Sequence, residues 1–338
     1  RSSQTTFKNH KPLFKLSNMK NRDSFRGTAI TKAFCEAFKS TKFYTEIYQK
    51  HKNEIIIGIR DGYINLYYNC DSIAKIRVGQ PSKALLASYY TDKKTRSLSD
   101  EEYVSLYNNI KEKSDRRDKK EKQAQERLFI DNNSNPSSGW FCIDVEFTKS
   151  LRGKNTAEDW RFDIIAISKT APYRVALIEL KYGEKAIGGK SGIRTHVRDF
   201  YAFHKENRYI DLKDEIVSIV KSLQEIGVDV PYNFGEIKTN EFTNHPEFYF
   251  ITINNKAEAG TSTPEQTMSG YLFKDKRWNC KKISKSVIEG GDYFTLTEHD
   301  KDFKPIFLFS SATLPNINIQ DILDFDNYNI IHSYPYDK

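Results

Sequence analysis

Three short apolar runs in the middle of the chain carry carboxylates where a sheet would bury them. Residues 140–147 include Asp144 and Glu146, residues 161–167 include Asp163, and residues 175–181 include Glu179 and Lys181. Runs of this length, rich in Ile, Val and Phe, read as buried strands. In a strand, residues i and i+2 share a face. Glu179 and Lys181 therefore point the same way as Leu177, with Ala176, Ile178 and Leu180 opposite; Asp163 goes with Ile165, and Asp144 with Glu146. Several carboxylates gathered in an apolar setting are costly unless a cation compensates. Mg²⁺ is a hard ion that takes oxygen ligands, and it suits phosphodiester hydrolysis by activating water and stabilising an in-line displacement. Whatever else the chain does, its fold has to bring these acids to neighbouring strands.

The rest of the composition agrees with a globular protein that has an anionic partner. With 338 residues, 38% of them hydrophobic, the chain is long enough for one large or two ordinary domains with a substantial core. A formal net charge of +8 and a pI near 9.0 favour a partner such as nucleic acid. The four cysteines, at 35, 70, 142 and 280, form no CxxC pair and have no His cluster beside them, which argues against zinc and against a disulfide framework. Scattered thiols fit a reducing compartment, so a cytoplasmic location is expected. No apolar run approaches membrane-spanning length, and Arg1-Ser2-Ser3 opens no hydrophobic signal region.

Residues 1–23 read as a loose leader, polar and lysine-rich. Residues 24–130 form an N-terminal α+β region. In it, Thr28 is expected to cap a helix through Lys39, a short helix covers residues 42–50, and runs at 54–59, 63–68 and 73–78 make a β-meander with a further strand at 83–90. Ser99-Asp100-Glu101-Glu102 is an acidic helix start. From Lys111 to Arg127 eight Lys/Arg alternate with five Asp/Glu and no apolar stripe survives, which reads as a solvated helix or flexible connection, or functionally as a basic surface touching phosphates. The Asn/Ser/Gly-rich stretch at 132–139 is the clearest loop and the candidate boundary, leaving residues 131–338 as the second domain. After the acidic strands come a helix at 192–207, with Arg194, Arg198 and Lys205 on a basic stripe, and a second at 210–226 with Ile210, Ile216 and Ile219 pointing inward and Gly227 as C-cap. His204 reads as packed, and His196 has no evident base partner. Further strands are expected at 248–253 and 305–309, and a helix at 264–273.

Asp163, fifteen intervening residues, then Glu179-Leu180-Lys181 resembles the D…(D/E)xK motif of the PD-(D/E)XK nuclease superfamily, which includes restriction endonucleases, junction resolvases and repair exonucleases. The resemblance is carried by residues 140–205, about a fifth of the chain. It implies an α/β (α+β) fold: a restriction-endonuclease-like mixed β-sheet core flanked by helices, here with the N-terminal α+β region added. It implies Asp163 and Glu179 as metal ligands, Glu146 as an additional acid and ligand, and Lys181 orienting the attacking water or stabilising developing charge. Mg²⁺ is the implied cofactor, with Mn²⁺ as substitute. The helix carrying Arg194 and Arg198 would face the phosphate backbone. DNA is the expected substrate ahead of RNA, a prokaryotic defence or restriction role is the expected biology, and a homodimer or larger defence complex the expected assembly. Two features depart from the family pattern. Phe162 stands where proline often precedes the acid, and Glu146 reads as strand where the upstream acid is often helical. The Gln-x-x-x-Tyr helix motif of the RecB-like subgroup is also absent, since His196 and Tyr201 differ in identity and spacing.

Gly189-Lys190-Ser191 imitates a P-loop, but that motif requires a glycine at position 184, which is Glu. Lys185 and Lys190 in this loop are instead candidate contacts for a backbone phosphate. The competing reading of the main motif is an edge-strand ion pair between Glu179 and Lys181. The competing function is a non-catalytic nucleic-acid-binding or assembly subunit.

Overall fold

The protein is described by a computed structural model covering residues 30–91, 94–149, 160–183, 193–254, 305–310 and 330–334. The leader at 1–23, the loop with Lys185 and Lys190, and the helix expected at 264–273 lie outside the described residues, as do the side chains of Arg194 and Arg198.

The chain folds as mixed α and β, with two sheets. Helix α1 (Lys32–Lys39) starts at Thr31, whose hydroxyl accepts from Phe34 N at 3.2 Å, three residues later than Thr28 was expected to cap it. Phe34, Cys35 and Phe38 give it one buried face. The helix expected after it is a π-helical segment, Phe43–Tyr48, closed by a 3₁₀ turn at Gln49–His51. Strands β1 (Ile56–Arg60), β2 (Tyr63–Tyr68), β3 (Asp71–Arg77), β4 (Lys83–Leu86) and β5 (Arg96–Ser99) form an antiparallel meander in sequence order. The β1–β2 turn uses Gly62 at φ +75°, and the β2–β3 turn uses Asn69 and Cys70 at φ +53° and +49°. β5 has too little apolar sequence to be legible as a strand; only Leu98 in it is buried.

α2 (Asp100–Asp115) begins with a full capping box, Ser99 with Glu102, as its acidic start implied. It buries Tyr103, Tyr107 and Ile110. The charged stretch that follows is neither a connector nor a uniformly solvated helix. The chain breaks after Asp115, passes Asp118 at φ +46°, and resumes as α3 (Lys120–Ser134). α3 buries Ala124, Leu128 and Phe129 by laying them on the second sheet. Ala124 and Leu128 are four residues apart, a stripe too narrow to stand out among charges.

That second sheet has six strands: β6 (Trp140–Lys149), β7 (Trp160–Ser168), β8 (Val175–Tyr182), β9 (Glu247–Ile253), β10 (Pro305–Ser310) and β11 (Ile330–Tyr334), in the order β11-β10-β9-β8-β7-β6. β6, β7 and β8 pair antiparallel, β8 and β9 parallel, β9 and β10 parallel, and β10 and β11 antiparallel. The parallel β8–β9 step needs a crossover, supplied by α4 (Ile193–Lys205) and α5 (Tyr209–Ile226). α5 ends at Gly227 with φ +94°, the expected left-handed cap. Its buried face is Tyr209, Leu212, Ile216 and Ile219, whereas Ile210, expected inside, is 54% exposed. One face of the sheet, including Ile165, Leu177, Phe248 and Phe250, packs against α4 and α5. The other, including Ile164, Ile178, Leu180 and Tyr249, packs against α3. The central strands are thus covered on both sides, which is why their sequences are almost continuously apolar.

The two sheets are joined by a buried ion pair. Arg60 at the end of β1 holds both oxygens of Asp144 on β6 at 2.8 Å through Nη1, and donates from Nη2 to Val145 O at 2.6 Å. Tyr67 accepts from the same guanidinium at 2.9 Å. Gly58 is required here: a Cβ would meet the Tyr67 ring at 2.6 Å and Arg60 Nη2 at 2.9 Å.

Candidate functional site

The β7–β8 ladder pairs Ile164 with Ile178 through Ile167 with Val175 and then stops. Beyond Ile164 the two strands no longer pair, and the carboxylate of Asp163 enters the gap, accepting from Leu180 N at 2.7 Å. Continuing the register puts Asp163 level with Glu179 on β8 and with Glu146 on β6, which lies between the pairs Val145–Ile164 and Phe147–Phe162. The three acids thus sit in one row across three adjacent strands, Glu179 and Asp163 on the interior strands β8 and β7 and Glu146 on the edge strand β6.

β6 does not alternate regularly. Its register shifts between Cys142 and Asp144, and Glu146 has φ +50°. Asp144 and Glu146 therefore do not share an environment as the strand pattern predicted. Asp144 is fully buried and committed to Arg60, while the Glu146 side chain keeps 31% exposure and approaches Lys122 of α3 at 3.5 Å. A non-glycine residue in the left-handed region costs about 1–2 kcal/mol, and such outliers concentrate at functional sites.

Glu179 and Lys181 are buried, and Lys181 Nζ lies 2.7 Å from Glu179 Oε1. Lys181 also reaches Glu121 in the first turn of α3 at 3.3 Å. His196 of α4 brings Nε2 to 3.0 Å from the same Glu179 oxygen. Thr252, level with Lys181 on β9, keeps a buried hydroxyl with no hydrogen-bond partner among the described residues.

The electrostatics follow from burial and crowding. Asp163 is pushed well above the usual carboxylate range, first by desolvation and then by Glu179, with Lys181 and the Leu180 N–H opposing. Burial raises Glu179 to about 7 against the pull of Lys181. For Lys181 burial acts downward, but Glu179, Asp163 and Glu121 more than reverse it and hold the ammonium charged. Two buried carboxylates with raised proton affinity are the donor chemistry that a divalent cation stabilises. Among the described residues, however, no three His, Cys, Asp or Glu side chains stand close enough to hold a metal ion as a set. By chemistry Asp163 and Glu179 fit a hard cation, with Glu146 as the adjacent third acid. A separate cavity of about 230 Å³ between β1, α3 and α5 contains none of these residues.

The sequence-predicted site is therefore gathered in part. Asp163, Glu179 and Lys181 are together; Glu146 adjoins them through the row; α4 lies beside them. Three contributors were not anticipated. His196 reads as partnerless in sequence because its partner, Glu179, lies on the preceding strand. Glu121 and Lys122 sit inside the charge run, where only the Ala124/Leu128 pair betrays a helix packed on the acidic strands.

Glu126, one turn further along α3, is buried and accepts from Cys70 N at 2.8 Å. Burial pushes it up to about 8 from an ordinary 4.5, against the Cys70 and Asn69 N–H groups. A native pKa above the unfolded one means that its stabilising contribution is complete below pH 4.5 and is lost as pH rises through about 8. Glu126→Gln keeps the acceptor and cannot ionise. Its unfolding free energy is expected to match wild type near pH 5 and to exceed it increasingly toward pH 9, by a few kcal/mol at most. A constant difference across that range would show that Glu126 is not the ionising group.

The chain matches no protein-family model, no curated protein and no solved structure.

Proposed function

We propose that this chain is a metal-dependent nuclease that hydrolyses phosphodiester bonds, with a restriction-endonuclease-like core of the PD-(D/E)XK type. The observation that carries this reading is the opening of the β7–β8 ladder at Ile164–Ile178, which leaves Asp163, Glu179 and Lys181 grouped at its end. A mixed sheet with helices on both faces is what the resemblance implies, and it supports the reading.

Asp163 and Glu179 would hold Mg²⁺ or Mn²⁺, with Glu146 as additional acid. When bound, the ion supplies a water of lowered pKa and offsets charge at phosphorus. Lys181, held charged among acids, donates to the developing negative charge on the phosphoryl group. His196 fixes the Glu179 oxygen it faces, and Glu121 steadies Lys181 from the other side. Arg194 and Arg198 belong to α4, the helix that brings His196 to the site, and are assigned to the phosphate backbone with Lys185 and Lys190. DNA ahead of RNA as substrate, action as a homodimer or in a larger defence complex, and a cytoplasmic defence role rest on the resemblance. Among the described residues no helix is long and apolar enough to cross a membrane.

One observation favours the second reading, a non-catalytic nucleic-acid-binding subunit: Glu179 is already engaged by Lys181 and His196. Incubation with supercoiled plasmid and with labelled DNA and RNA oligonucleotides separates the two. The nuclease reading expects products with Mg²⁺ or Mn²⁺ and none with EDTA. Binding of the oligonucleotides without products in any metal would replace it with the binding subunit.

A further inference from the structure

The β2–β3 turn carries a second charged cluster that none of the site residues above accounts for. Asp71, almost fully buried, is approached by three cations: Arg117 Nη1 at 2.9 Å, Lys119 Nζ at 3.5 Å and Lys122 Nζ at 3.6 Å. Arg117 and Lys119 come from the α2–α3 connection and Lys122 from the first turn of α3. Lys122 also donates to Cys70 O at 3.0 Å and reaches Glu146 at 3.5 Å. One ammonium thus joins this cluster to the acidic row.

The cluster has more cation than its own carboxylates use. Three positive groups share Asp71 and, through Lys122, Glu146. A guanidinium has five N–H donors and an ammonium three, and the carboxylate of Asp71 can accept only some of them. The Arg117 and Lys119 side chains keep 28% and 37% exposure, so their outward donors meet solvent. Arg117 also lies over the ring of Tyr89, 4.8 Å from its centre, and Tyr89 is 46% exposed. A cation pair beside an exposed aromatic ring is the combination that takes a phosphate and stacks the neighbouring base.

We propose that Arg117 and Lys119, anchored on Asp71, form a subsite for a backbone phosphate of a polynucleotide strand, continuous with the Glu146–Asp163–Glu179 row through Lys122. For the identity of the ligand this rests on the nuclease reading. In this arrangement the five-stranded sheet acts as the substrate-side wall of the site, and the charge run at the α2–α3 junction is its contact surface.

The test is fluorescence anisotropy of a labelled oligonucleotide, single-stranded and duplex, with EDTA present and salt varied. Each lost phosphate contact removes about 0.9 from the slope of log K against log salt for duplex and about 0.7 for single strands. Arg117→Ser/Lys119→Ser is expected to weaken binding about tenfold or more at physiological salt and to lower the slope by one to two. Arg117→Lys/Lys119→Arg, which keeps both charges on Asp71, is expected to retain affinity and slope, which separates lost phosphate contact from a damaged fold. Unchanged affinity and slope in the serine variant would overturn the proposal, as would equal losses in the charge-conserving one. If wild type binds but never cleaves while the serine variant loses binding, the subsite stands and the nuclease reading fails. If Asp163→Ala abolishes cleavage while the serine variant binds like wild type, the reverse holds.

Discussion

Asp163→Ala and Lys181→Ala are each expected to lower Mg²⁺-dependent cleavage by at least about a hundredfold, and toward ten-thousandfold, while leaving oligonucleotide binding in EDTA within about threefold of wild type. The two act for different reasons. Asp163 is one of two buried carboxylates level with each other on diverging strands, and without it Glu179 alone cannot hold a divalent ion. Lys181 is the cation kept charged at that point by Glu179, Asp163 and Glu121. Single-turnover rates at saturating protein separate the chemical step from binding. Asp163→Asn is the informative companion: it keeps an acceptor for Leu180 N, so loss of cleavage with an unchanged melting temperature places the defect in the chemistry. Wild-type rates in the two alanine variants would remove the site assignment.

Breaking the Arg60–Asp144 pair is expected to produce the largest loss of stability in the molecule. Both side chains are at or below 5% exposure, and their hydrogen bonds cross from β1 to β6. Removing one partner strands a buried charge, at a cost of about 3–5 kcal/mol, or on the order of 10 °C in melting temperature for a protein of this size. Arg60→Met and Asp144→Leu should each show it by thermal or denaturant unfolding. Together they should recover most of it, because an apolar replacement of both charges removes their desolvation as well. Single variants within about 1 kcal/mol of wild type would mean that the sheets are held by packing alone. Since Arg60 also binds Val145 O, next to Glu146, the single variants should lose cleavage as well as stability.

Much of this was legible from residue pattern, because period and composition report local structure directly. The three acidic strands, the acidic cap of α2, α4, and the glycine stop of α5 follow from alternation, capping chemistry and a left-handed C-terminal residue. The grouping of Asp163 with Glu179-Leu180-Lys181 was implied by the resemblance to the D…(D/E)xK motif. What was not legible depends on tertiary partners. Asp144 and Glu146 look equivalent in a regular strand, yet a register shift and one left-handed residue give the first to Arg60 and the second to Lys122. Ile210 looked like core because it begins a helical period, but the helix turns Tyr209 and Leu212 inward instead. The charge run at 111–127 looked solvated because a helix needs few apolar residues when it lies on a sheet that supplies the rest. His196 and Glu121 could not be assigned, since each meets its partner on β8 only once the helices fold back onto that strand.

The most direct measurement is a crystal structure of the protein soaked in Mn²⁺, read by anomalous scattering. The proposed function predicts one strong peak bonded to carboxylate oxygens of Asp163 and Glu179 at roughly 2.0–2.3 Å, with Lys181 displaced from its present contact with Glu179. Density for an intact Lys181–Glu179 pair at saturating Mn²⁺, with no ion between Asp163 and Glu179, would contradict it.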